Sequence, residues 1–188
     1  AMDPSSFTAV RLVSGTVALM LVSTIIGNRH MVRQSGDWIS AAMLFSYAAA
    51  FSPAYVTLPT GVGALILFGS VQTSMLMGGV ISGERPHPMV WFGIVVAMLG
   101  LVYLVLPGLQ APPPGGAALM AAAGISWAIY SLRGRKSKSP VAATAANFVR
   151  TAPFCLALSL LLIPRLDISS QGVALAIASG ALTSGLGY

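Results

Sequence analysis

Residues 38–82 read WISAAMLFSYAAAFSPAYVTLPTGVGALILFGSVQTSMLMGGVIS, without one charged side chain from Trp38 to Ser82. As a single helix this stretch would be about 68 Å long at 1.5 Å per residue. The hydrocarbon core of a bilayer is about 30 Å thick. A chain that apolar and that long must therefore reverse. Leu58-Pro59-Thr60-Gly61 supplies the break, since proline cannot donate to a helix ladder and glycine permits a turn. Two membrane-spanning helices, 38–58 and 60–82, follow from this one stretch.

The same reading extends in both directions. Apolar runs long enough to span occupy 7–27, 38–58, 60–82, 88–107, 116–132, 141–163 and 170–188. The separators are plain in the sequence. Asn28-Arg29-His30 through Gly36-Asp37 is polar, Gly83-Glu84-Arg85-Pro86-His87-Pro88 is charged and proline-rich, and Pro107 to Gly116 contains three successive prolines. Arg133 to Pro140 is basic. The composition agrees: only 7% of the 188 residues are charged and 56% are hydrophobic, with a mean hydropathy of +0.84. A soluble domain averages about 25% charged residues. A fold this poor in charge cannot cover a water-facing surface, whereas a lipid-facing surface should be apolar. The expected fold class is all-α, a polytopic transmembrane helix bundle, with about 65–75% of residues helical, well above the globular average.

Charge sets the orientation. The net charge is +6, and the basic residues collect in alternate loops. Arg29 and Arg33, Arg85, and Arg133, Arg135, Lys136 and Lys138 fall on one side, and Arg165 is alone in the opposite loops. Arg11 and Arg150 lie within spans. Cytoplasmic loops carry the excess of Lys and Arg, so 28–37, 83–87 and 133–140 are expected in the cytoplasm. Charges in short bursts between apolar runs do not form a nucleic-acid surface. Ala1 is not an initiator methionine and Tyr188 follows an apolar run without a polar stop, so both ends read as cut.

Little in the chain supports catalysis. Its acids are Asp3, Asp37, Glu84 and Asp167, none near the middle of a span. His30 and His87 lie in loops, and the lone Cys155 sits in an apolar run with no ligand partner nearby. Neither metal-ligand spacing nor a Ser-His-Asp set nor a phosphate-binding glycine loop is present. No cofactor and no metal are expected, and the chain is not expected to be an enzyme. Proton coupling usually needs an ionisable group inside the membrane, and arginine stays charged.

A weak internal repeat is visible at an offset of 136. Pro4, Thr8, Ala9 and Val13 align with Pro140, Thr144, Ala145 and Val149, and Ala54-Tyr55 resembles Gly187-Tyr188. The span at 7–27 would run outside to inside and that at 141–163 inside to outside, as inverted transporter repeats require. Several segments then resemble the EamA-type permeases of the drug/metabolite transporter superfamily. They are Gly83-Glu84-Arg85-Pro86, Trp91-Phe92-Gly93, Gly100-Leu101-Val102-Tyr103-Leu104 and Ala123-Gly124-Ile125-Ser126-Trp127-Ala128-Ile129-Tyr130-Ser131. Phe7-Thr8-Ala9-Val10-Arg11 and Asn147-Phe148-Val149-Arg150 resemble the openings of that family's spans two and seven. The resemblance implies two inverted five-helix repeats, incomplete here: 1–110 as a first repeat lacking its first helix, and 111–188 as the start of the second. It also implies secondary transport of small organic solutes, amino-acid-like compounds or drugs, across a bacterial inner membrane, with solute and lipid as partners and a homodimer allowed. A membrane-embedded enzyme on lipid-like substrates should show clustered His, Asp or Glu. A non-transporting scaffold would not need the inverted repeat.

The candidate pathway residues are polar or aromatic and lie near mid-span, because a polar group in hydrocarbon is costly unless it faces a partner or a cavity. They are Tyr47, Tyr55, Ser70, Gln72, Thr73, Trp127, Tyr130 and Asn147. Gln72 is expected inside the bundle, near Tyr47 and Trp127. Each has a plainer reading: an interhelical hydrogen bond for Gln72, a packing or interfacial role for Trp127 and Tyr130. Glu84, just past a span and beside Arg85, is a candidate gate or else a solvated loop charge. Gly93 with Gly100, and Ala117, Ala121 and Gly124, are spaced for close helix packing. Pro53 is expected to kink its helix.

Overall fold

The computed structural model describes residues 3–27, 29–106, 112–135, 137–161 and 169–186. Helix accounts for 87% of them, with no strand, more than the sequence suggested because the described links are short. The elements are α1 (Pro4–Ile25), α2 (Arg29–Gln34), α3 (Trp38–Thr57), α4 (Thr60–Ile81), α5 (Pro88–Val105), α6 (Pro114–Gly134), α7 (Pro140–Leu161) and α8 (Ser170–Ala178), the last continued by a π-helical segment, Ser179–Leu186. Arg165, Asp167, Lys136, Gly187, Tyr188 and residues 107–111 lie outside the described residues.

Five helices, α1, α3, α4, α6 and α7, are long and apolar enough to cross a membrane. The stretches Pro88–Gly100 and Ser170–Thr183 are apolar but shorter. The chain is therefore a multi-pass membrane protein in architecture, with five of the seven anticipated spans at full length in the described residues.

Local chemistry explains where the helices start. α1, α5, α6 and α7 each begin on a proline, whose missing N–H costs nothing in the first turn. The Asp3 carboxylate accepts from Ser5 N–H and Ser6 N–H, both at 3.0 Å, so α1 starts at Pro4 and not at Phe7. Asp37 caps α3 by accepting from Ser40 N–H at 2.9 Å.

The stretch 28–37, read from its polarity as a loop, contains the short helix α2. Its Val32 is buried in the core against α7, and that burial outweighs the polarity of its neighbours. The turn after it needs glycine. Gly36 has φ +75°, and a Cβ there would lie 2.6 Å from Asn147 Oδ1 and 2.8 Å from Ala146 Cβ. No L side chain fits both constraints.

α3 packs most extensively on α6, α4 on α6, and α1 on α7 and on α8 with its continuation; α7 also packs on α3. The main core gathers Leu12 and Leu19 from α1, Leu44 from α3 and Phe148 from α7. A second cluster joins Ala54 and Leu58 to Met120. The small-residue seam on α6 is real: a Cβ on Gly124 would meet Ser70 Cβ at 2.7 Å and Leu67 O at 2.8 Å. The other proposed seam is not. Among the described residues nothing lies within 4 Å of a Cβ built on Gly93 or Gly100, because α5 touches the rest of the bundle only lightly along α4.

Candidate functional site

Four of the anticipated pathway residues, Tyr47, Tyr55, Trp127 and Tyr130, sit in one aromatic row with a fifth ring, Phe51. On α3, Tyr47, Phe51 and Tyr55 recur every fourth residue, and so share one helix face. Tyr55 and Phe51 centroids are 4.9 Å apart, Phe51 and Tyr47 5.4 Å, Tyr47 and Trp127 4.8 Å, and Trp127 and Tyr130 5.6 Å. All fall in the range of favourable ring pairs. α3 and α6 run antiparallel, so the row passes from near the C-terminal end of α3 to near the C-terminal end of α6.

Each end of the row opens on a recess. One, of about 300 Å³, is lined by Pro4, Phe7, Phe51, Ser52 and Tyr55. The other, of about 260 Å³, includes Trp127, Tyr130, Thr144 and Asn147. Beside the row the Arg11 guanidinium lies over the Phe51 ring, 5.7 Å from its centroid, within cation–π range. Pro53 lies inside α3, and polar contacts gather next to it. The Thr8 hydroxyl donates to Ser52 Oγ at 2.7 Å, and the Ser52 hydroxyl to Ala48 O at 3.3 Å.

The basic ends of the helices converge on a second feature. Asp37, Ser82, Glu84, Ile129, Arg133 and Arg135 line a recess of about 760 Å³. The loops around residues 37, 84 and 135 therefore share one end of the molecule, as their charge suggested. Arg133 bridges to Asp37 at 2.9 Å and donates to Ser40 Oγ at 3.2 Å. Arg135 faces Glu84 at 3.4 Å, both side chains about half exposed. Partial burial pushes the Asp37 carboxyl up, but the Ser40 hydroxyl and N–H and the Arg133 guanidinium outweigh it and hold it below its ordinary value. Arg150, inside α7, donates to Ser35 O at 2.8 Å, so its charge serves the α2–α3 turn. Asn147 does the same, its Oδ1 accepting from Asp37 N–H at 3.0 Å.

Gln72 lies elsewhere. With Glu84, Arg85 and Arg135 it lines a cavity of about 480 Å³ between α4, α5 and α6, and neither Tyr47 nor Trp127 borders that cavity. Its Oε1 is buried and has no hydrogen-bond partner among the described residues. Ser70 is part of the α4–α6 seam at Gly124, and Thr73 is exposed.

The chain is similar to uncharacterized protein PA1977 of Pseudomonas aeruginosa (strain PAO1). The two are 47% identical over 189 residues, covering 100% of this chain and 65% of that relative. No family model matches the chain, and no solved structure matches it significantly.

Sequence reasoning missed Phe51, although its spacing of four from Tyr47 and from Tyr55 was readable. Asp37 with Arg133 could not be paired beforehand, because 96 residues separate them and no local period connects them.

Proposed function

We propose that this protein is a secondary transporter of small organic solutes, of the EamA type in the drug/metabolite transporter superfamily, working by alternating access in a bacterial inner membrane. The observation that carries the reading is the relation between α1 and α7. Both helices are 22 residues long, and Pro4–Ile25 maps onto Pro140–Leu161 at the same offset of 136 at both ends. They run in opposite directions and pack on each other. α1 also packs on α8, and α7 on α3, two pairs that change places when α1 is exchanged with α7 and α3 with α8; the α1–α3 contact has no comparable α7–α8 counterpart among the described residues. Inverted repeats meeting in this way form the central interface of many transporters, with the solute site beside it.

The aromatic row supports the same reading. It offers apolar and π surface through the bundle, and its two recesses lie toward opposite ends. Binding sites of this kind are mostly apolar, with a few polar groups for orientation. The basic recess would then be the cytoplasmic mouth, with Glu84–Arg135 as a gate contact. The bacterial relative supports the assignment to a bacterial membrane.

Counterflow tests the proposal. Purified protein is reconstituted in proteoliposomes preloaded with one unlabelled amino acid or organic acid at a time. Transient accumulation of the labelled counterpart above equilibrium is expected for at least one class of solute. Absence of counterflow across the panel, from folded protein, overturns the transporter reading.

A further inference from the structure

We propose that the Arg11 end of the aromatic row binds an aromatic carboxylic acid as its anion, without an accompanying ammonium group, and that Arg11 is the residue that selects it. The inference deepens the transporter reading by narrowing the solute class, and it rests on that reading only for its physiological role.

Arg11 and Arg150 both lie well inside membrane-spanning helices, and packing accounts for only one of them. Arg150 on α7 donates to Ser35 O at 2.8 Å and to Ala146 O at 3.2 Å. Arg11 stands seven residues beyond Pro4 in α1, about 10 Å along the axis. It makes no ion pair and no hydrogen bond among the described residues. An ionised side chain at that depth is costly, and such groups face a cavity or pair with an opposite charge. The packing of α1 and α7 does not itself demand a charge there. At the offset of 136 the counterpart of Arg11 is Asn147, an uncharged amide.

The surroundings of Arg11 set the rest of the chemistry. Its guanidinium lies over the Phe51 ring, 5.7 Å from the centroid, and the residue is partly exposed, so a ligand can reach it. Phe7, one turn earlier on the same face of α1, lines the recess of about 300 Å³ with Phe51, Tyr55 and Ser52. Guanidinium and recess thus share the Phe51 ring. Aromatic rings offer a surface on which another ring packs well, and the volume is that of a small solute. A planar guanidinium suits a carboxylate held by two parallel bonds. A cation is disfavoured, because the ring that would attract it already carries Arg11.

The acids decide between an organic acid and an amino acid. No Asp or Glu lines this recess or the one at the other end of the row. Asp3, next to Pro4, caps α1 by accepting from Ser5 N–H and Ser6 N–H. An α-ammonium group would therefore stand close to Arg11 with no lining carboxylate to balance it, and like charges disfavour each other. The acid without the amino group fits better than the amino acid with the same ring.

The test is calorimetric binding to purified protein in phosphatidylcholine nanodiscs, with 3-phenylpropanoate, 3-phenylpropanamide and phenylalanine. The first two differ in the negative charge, and the first and third in the ammonium group. Wild type should bind 3-phenylpropanoate about tenfold more tightly than either of the others, the effect of one charge-assisted hydrogen bond. Arg11→Gln should lower 3-phenylpropanoate to the affinity of the amide, and Arg11→Lys, which keeps the charge, should retain a preference for the acid. Absence of 3-phenylpropanoate binding, equal affinity for acid and amide, or phenylalanine bound as tightly as 3-phenylpropanoate overturns the inference on wild type alone. So does a preference that survives Arg11→Gln. Phospholipid that native mass spectrometry finds on wild type but not on Arg11→Gln, and that 3-phenylpropanoate does not displace, also overturns it, because the guanidinium then serves a headgroup phosphate. Binding is read without movement of solute, so its failure leaves counterflow as an independent result.

Discussion

Asp37 combines two roles in one carboxylate. It caps α3 through Ser40 N–H and closes the loop onto α6 through Arg133. Asp37→Ala should cost about 1 kcal/mol, the usual worth of a helix cap. Asp37→Asn, which retains a capping oxygen, should cost less. The Arg133 bridge adds little to this, since both side chains are about 40% exposed or more and water screens them. The sign of the pH effect follows from the depressed pKa. The folded carboxyl titrates below its ordinary 3.8, so its contribution is fully present above that value and is lost as pH falls through the folded pKa. Thermal unfolding in detergent between pH 6 and pH 3 should show wild type losing stability faster than Asp37→Ala. Parallel curves would remove Asp37 from the account.

Among the helices, the contrast between α6 and α5 is the informative one. Gly124 on α6 and Gly93 on α5 look alike in sequence, each a glycine in an apolar run. A methyl group on Gly124 would press on the backbone of α4 at Leu67 O, whereas one on Gly93 meets open space. Backbone cannot yield as the tip of a long side chain can. Gly124→Ala should therefore push α4 from α6 and destabilise by about 1–3 kcal/mol, as overpacking does. Gly93→Ala should be neutral or stabilising by up to about 1 kcal/mol, because alanine favours helix. Paired melting curves of the two variants decide the matter, and equal losses would mean that α5 is packed after all.

For the molecule as a whole, the arrangement of loops makes a prediction about sidedness. Asp37, Glu84, Arg133 and Arg135 border one recess, so the three basic links share one face, and that face should be cytoplasmic. Ser35→Cys and Ser137→Cys should resist membrane-impermeant thiol reagents in intact cells and react after permeabilisation. The native Cys155 is buried and should give little background. Reaction of either variant from outside would invert the topology.

The sequence by itself determined the class of fold and most helix boundaries. Both follow from local physics: an uncharged run longer than a bilayer, broken at Pro59, and prolines at 4, 88, 114 and 140 that favour a helix start. The same local rules misjudged α2, whose polar residues surround Val32, a side chain buried only because α7 lies beside it. They also marked Gly93 for close packing where no neighbour among the described residues comes near. For the candidate site the division is similar. The spacing of Tyr47, Phe51 and Tyr55 placed them on one helix face, but which helix that face meets is decided by the packing of α3 on α6, which brings in Trp127 and Tyr130. Gln72 was legible as a buried polar group and was assigned the wrong neighbours. Depth in the membrane is encoded along a helix, whereas the direction a side chain faces depends on the rotation of that helix against others. That rotation is fixed by contacts such as Gly124 on Leu67 and Gly36 on Asn147, between residues far apart in the chain, and only the tertiary structure brings them together.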